Sequence, residues 1–202
     1  MIDYLKGIIL SQFQAGLGML DDCLRRCPDD KWDGPIGKYP FWHVAYHTLC
    51  YVDLYLSPGE AAYTHRPDIH PAGMNEFSEE YPSRRFTREE LIGYLDICRR
   101  KADDMLAADT PASLQAGSGF PWLPFSRGEL HIYNLRHVQH HTGQLSAYLR
   151  RAGVETKWIK NGCQPPAVSR RQLPADSRKL TADGHIQYLF TTAARTKLGF
   201  CS

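Results

Sequence analysis

SRGELHIYNLRHVQHHTGQLSAYLRRA, residues 126–152, carries a helix start, an apolar stripe and a cluster of histidines in one uninterrupted run. Ser126 followed by Glu129 has the spacing of a capping box, in which the serine oxygen accepts from a free backbone N–H and the carboxylate reaches back. Leu130, Tyr133, Leu135, Val138, Leu145, Tyr148 and Leu149 then mark the buried side of a helix reaching about Ala152, and Gly153 suits a left-handed cap.

Three further segments read the same way. From Asp3 to Arg26, Tyr4, Leu5, Ile8, Ile9, Phe13, Leu17, Leu20 and Leu24 recur at three- and four-residue steps, until Cys27-Pro28-Asp29-Asp30 stops the pattern. A second helix is expected from near Pro40 to Leu56, ended by Ser57-Pro58-Gly59. Thr87-Arg88-Glu89-Glu90 is another capping box, followed by Leu91, Tyr94, Leu95, Cys98, Ala102, Met105 and Leu106. Pro58, Pro67, Pro71 and Pro82 mark residues 58–86 as a long connection, and Gly117, Gly119, Pro121 and Pro124 do the same for 107–125. Four amphipathic helices without a convincing strand pattern predict an all-α fold, a four-helix bundle spanning residues 1–154. Its long connections allow a topology other than simple up-and-down.

The remainder, residues 155–202, holds eight Lys/Arg against three Asp/Glu, leaving 16 against 19 in residues 1–154. Its poor hydrophobic spacing, apart from Ile186 to Phe190, predicts a basic tail that is disordered or peripheral.

Composition closes off several functions. With 202 residues, 43% of them hydrophobic, and four Trp, eleven Tyr and eight Phe, the chain can bury a core. A formal charge of +2 and a net acidic bundle give no basic face for nucleic acid. No apolar run approaches the roughly 18 residues of a membrane span, and MIDYLKGIIL lacks the parts of a secretion signal, so the expected location is the cytoplasm. Six cysteines contain no C-x2-C pair; Cys50 and Cys98 read as small core residues. No G-x-S-x-G, P-loop or dinucleotide fingerprint is present.

Five of the nine histidines lie in two short segments. His137 and His141 are four apart, so both imidazoles leave one helix face a turn apart and can reach one cation at about 2.0–2.1 Å. The second helix offers another such pair, His43 and His47, within Phe41-Trp42-His43-Val44-Ala45-Tyr46-His47-Thr48-Leu49. Bundles build metal sites from side chains on facing helices, and a three-His site with open positions is the catalytic arrangement. Spacing alone leaves His43, His47 and His140 as alternatives for the third ligand.

The run Tyr133 to Leu145, with its H-x3-H-x2-Q-L element, resembles the closing motif of the DinB/YfiT-like metalloprotein superfamily, and the resemblance covers roughly residues 3–153. It implies His47, in mid-helix before Thr48-Leu49, as the second-helix ligand, with His137 and His141 from the last helix and His140 as a neighbour. It further implies a divalent metal such as zinc or nickel, a homodimer made by helix packing, and reactions that join a low-molecular-weight thiol to a small-molecule electrophile. Hydrolysis is the sibling chemistry, and a non-catalytic, metal-binding or dimerising bundle is the alternative from another class. Tyr51, one turn after His47, and Tyr133, one turn before His137, are candidate neighbours that orient substrate or pack the core. Asp53 and Asn134 are candidate hydrogen-bond acceptors for the ligating imidazoles. Asp53 lies six residues past His47 and is expected to be exposed. Arg136 is expected to be solvated. Phe120-Pro121-Trp122-Leu123-Pro124-Phe125 reads as a hydrophobic plug closing the bundle end.

Overall fold

The computed structural model describes residues 1–71 and 84–162; residues 72–83 and 163–202 lie outside the described residues. Cys163, Cys201, the stretch Ile186 to Phe190 and all of the expected tail beyond its first eight residues belong to the latter.

Four long helices form the bundle: α1 (Ile2–Arg26), α2 (Phe41–Leu56), α3 (Arg88–Ala108) and, after the short α4 (Pro111–Gln115), α5 (Arg127–Arg151). The fold is therefore the all-α bundle expected. Both α3 and α5 pack against α1 and against α2, so α3 and α5 face one another across the bundle. Numbering rises together along α1 and α5: Lys6 reaches the carbonyls of Ala107 and Asp109, beside the start of α5, whereas Gly16 abuts Val138. It runs oppositely along α2 and α5, where His47 meets His141 and Tyr55 meets Tyr133. No helix among the described residues is long and apolar enough to cross a membrane.

The core is continuous. Phe13, Leu17, Leu20 and Leu24 from α1 meet Phe41, Tyr46 and Leu49 from α2, Leu91 and Leu95 from α3, and Val138, Leu145 and Leu149 from α5. Each such side chain contributes about 1.5–3 kcal/mol on burial. Gly16 permits a close approach of α1 to α5, since a Cβ there would lie 2.7 Å from Gln139 Nε2 and 3.3 Å from Val138 Cγ1. Cys23, Cys27, Cys50 and Cys98 are buried thiols, as read for Cys50 and Cys98. Burial pushes Cys23 and Cys27 up to about 12, so they remain protonated.

Helix ends follow their local signals. Thr87 and Glu90 make the reciprocal capping box, and Gly153 adopts φ 79° after α5. Ser126 forms half of its box, accepting from Glu129 N–H at 3.2 Å without the return bond. The connection after α3 holds an element not anticipated: Thr110-Pro111-Ala112-Ser113 caps α4, whose five residues are too few to show periodicity. The loop before α2 forms a two-residue hairpin, β1 (Pro35–Ile36) with β2 (Tyr39–Pro40), turned by Gly37 at φ 61°.

Three expected core residues are exposed instead. Tyr4 (64%), Leu5 (47%) and Ile8 (43%) lie in the first turns of α1, on a side of the helix that stays exposed although their spacing is that of a buried stripe. Residues 155–162, by contrast, return along α1. Lys157 N–H donates to Asp22 Oδ2 at 2.8 Å and Gly162 N–H to the Ser11 carbonyl at 2.8 Å. Ile159 lies over Gly18. The chain thus stays bonded to the bundle past the expected boundary at residue 154.

Candidate metal centre

The α2 helix is apolar almost all round, and fourteen of its sixteen residues are buried. His47 and Tyr51, one turn apart, are the two that are half-buried. They face the groove between α2 and α5, into which α5 turns His137 and His141. Ring centroids are 4.5 Å apart for His137 and His141, 4.9 Å for His47 and His141, and 5.4 Å for His47 and His137. One ligand nitrogen from each of His47, His137 and His141 lies within 4.8 Å of the others. Two nitrogens held by one cation in tetrahedral geometry are about 3.4 Å apart. Small ring rotations therefore close the set.

Local bonds prepare these imidazoles. His141 Nδ1 lies 2.9 Å from Gln144 Oε1; an amide oxygen only accepts, so Nδ1 carries the proton and Nε2 presents its lone pair. The same carboxamide donates to Nε2 of His140 at 3.4 Å. His140 is exposed and stands outside the converging three, tied to them through Gln144. Burial, and then the neighbouring imidazoles, push His137 down to about 3. Burial also lowers His141 to about 4 against the opposing Gln144 bond. Both rings are neutral at pH 7, the form that ligates a cation. His137 Nδ1 is buried without a hydrogen-bond partner, so neither tautomer is enforced. No carboxylate joins the group among the described residues.

Other candidates are dispersed by the packing. His43 is 3% exposed, with its ring edge-on to Tyr39 at 4.6 Å and beside Trp42 at 5.4 Å, one turn nearer the hairpin. His47→Ala is expected to weaken zinc binding at least a hundredfold more than His43→Ala, measured by chelator competition; the opposite ranking would move the third ligand to His43.

Asp53 corrects the expectation of an exposed carboxylate. It is 3% exposed. Oδ1 lies 2.7 Å from Lys101 Nζ, while Oδ2 accepts from Arg66 Nη2 at 2.7 Å and from the Tyr94 hydroxyl at 3.1 Å. Six residues rotate a helical side chain about 240°, which turns Asp53 from the His47 face to the α3 face where Lys101 arrives. Asn134 is also buried and donates to the Val52 carbonyl at 3.3 Å.

Tyr51 lies directly against the centre, its ring 4.8 Å from His47 and 5.2 Å from His137. Tyr133 stands farther off, edge-on to Tyr55 at 5.5 Å, with the exposed Arg136 guanidinium 5.2 Å from its ring centroid. Tyr55 was not singled out by sequence, although its four-residue step from Tyr51 places it on the same face. Phe120 and Leu123 close this end by packing with Leu54, Tyr55 and Leu130, as the plug reading requires, while Trp122 is 50% exposed. A concavity of about 580 Å³ in the loop around Gly117–Ser126 is lined by Phe120 and Phe125 but by none of the three histidines.

The sequence model of the DinB superfamily matches residues 12–145, a span that contains all three histidines. No curated protein matches the chain.

Proposed function

The chain belongs to the DinB superfamily, and from that premise we propose a divalent-metal-dependent enzyme that transfers a low-molecular-weight thiol to a small-molecule electrophile. One observation carries this reading: three imidazoles from two helices converge in a half-buried groove with no carboxylate among them. The donor set fits a borderline cation such as zinc or nickel, because the ligands are neutral nitrogens and His137 Nδ1 has no competing bond. His47, His137 and His141 would hold it, with Gln144 fixing the tautomer of His141.

When bound, such a cation supplies Lewis acidity that lowers the pKa of a thiol or water at its open positions. Three neutral imidazoles would leave the charge of such a cation uncompensated, which would favour an anionic partner such as a thiolate. The two cysteines whose thiols burial holds near 12 are unsuited to serve as the nucleophile. In the transfer, the incoming sulfur forms the C–S bond with its electron pair. The displaced group leaves with the electrons of the broken bond, and the thiol proton passes to solvent. Tyr51 and the helix walls narrow the groove beside the reacting atoms. A second copy of the chain is part of the same reading, and exposed Tyr4, Leu5 and Ile8 on α1 offer it an apolar surface.

The test is a thiol panel of glutathione, bacillithiol and mycothiol, with 1-chloro-2,4-dinitrobenzene as electrophile and the zinc- or nickel-loaded full chain. Thiol-dependent release of chloride above the His137→Ala background is the expected result. Thiol-independent cleavage of p-nitrophenyl acetate, with no transfer, would replace the reading by hydrolysis. Neither activity above that background would leave a non-catalytic metal-binding bundle.

A further inference from the structure

We infer that Tyr51 seats the electrophile, and that the substrate's reactive portion is a planar, electron-poor conjugated or aromatic group lying on the Tyr51 ring. The inference rests on the thiol-transfer reading for its chemistry, but the binding surface it names exists without a metal.

Three observations point to it. His47 and Tyr51, both half-buried, are the two positions of α2 that are not fully buried, so a molecule reaching the imidazoles along that helix meets the Tyr51 ring. That ring contacts two of the three converging histidines, at 4.8 and 5.2 Å between centroids. A group held on it is therefore adjacent to the point where the imidazoles meet. Behind it stand more rings: Tyr55 at 5.4 Å from Tyr51, then Tyr133 and Phe120 each 5.5 Å from Tyr55. Tyr55 is 4% exposed and Phe120 3%, so Tyr51 rests on a fixed aromatic base rather than on mobile side chains.

The chemistry of the surface selects its ligand. An aromatic face carries negative charge density, so it attracts a flat π-system depleted of electrons. Electrophilic carbons conjugated to nitro or carbonyl groups are of this kind. A saturated electrophile gains only apolar contact from the same wall. Small-molecule sites ordinarily combine such apolar walls with a few polar groups, and here the histidines are those groups.

Binding and turnover test this separately. Titration of the full chain with 1,3-dinitrobenzene, which has no leaving group to lose to a thiol, can be followed by quenching of tryptophan fluorescence. Tyr51→Phe should bind as wild type does, whereas Tyr51→Ala and the volume-preserving Tyr51→Leu should bind about fivefold to tenfold more weakly. His137→Ala should still bind the probe, which separates this inference from the metal-dependent reading. In turnover with glutathione, Tyr51→Leu should lower the kcat/KM ratio of 1-chloro-2,4-dinitrobenzene over iodoacetamide by about the same factor, mainly through KM. Unchanged probe affinity in Tyr51→Leu, or equal loss toward both electrophiles, would overturn the assignment.

Discussion

His137→Ala is expected to take the purified protein from about one divalent ion per chain to none that survives gel filtration, read by inductively coupled plasma mass spectrometry. Complete tetrahedral sites bind zinc with about 10–16 kcal/mol, or about 2.5–4 kcal/mol per ligand, so loss of one imidazole weakens binding by about a hundredfold to a thousandfold. His137, like His47, contacts both other histidines and Tyr51. Added zinc should raise the Tm of the wild type and not that of the variant, since only a native state that binds is stabilised. The pH dependence has a definite sign. Folded-state values of about 3 and 4 for His137 and His141 lie below the ordinary 6.5, so in the metal-free protein the unfolded chain binds more protons in that interval. Stability is therefore lost as pH falls from about 6.5 toward 4. Retention of a full equivalent of metal by His137→Ala would remove the basis for the metal-dependent reading.

Asp53→Ala should instead destabilise the fold and leave the three-histidine group intact in the molecules that remain folded. It removes the acceptor shared by Lys101, Arg66 and Tyr94. Breaking a fully buried ion pair costs about 3–5 kcal/mol. Lys101 and Arg66 are 26% and 33% exposed, and the solvent they retain reduces the expected loss to about 2–4 kcal/mol. Urea denaturation of the metal-free protein measures it. Pairing Asp53→Leu with Lys101→Met should recover part of the loss, because one stranded cation is removed along with the carboxylate. A change below about 0.5 kcal/mol would show the cluster to be a surface-like ion pair.

These two residues mark where sequence reading succeeds and where it stops. His137 and His141 were legible because both belong to one helix: four residues of α-helical geometry place the rings a turn apart whatever surrounds them. Thr87 with Glu90, and Gly153 after α5, were legible for the same reason, since caps act over three or four residues. The converse holds for α2. Its nearly uniform apolar run gives little indication of which side meets α5, so spacing left His43 and His47 open, and the family resemblance rather than periodicity favoured His47. Antiparallel packing against α5 turns His47 and Tyr51 into the groove and Asp53 toward Lys101. Tyr4, Leu5 and Ile8 show the same limit, having a core-like pattern on a side of α1 that stays exposed.

Four long helices, most of their ends and the paired imidazoles of the last one can be read from local sequence, because each depends on interactions within a few residues. Packing was needed to bring His47, which the family resemblance alone had favoured, to the pair on α5, to set Tyr51 beside them, and to bury Asp53. Those outcomes depend on how the helix faces are rotated against one another, and that rotation is set by the packing of the whole core.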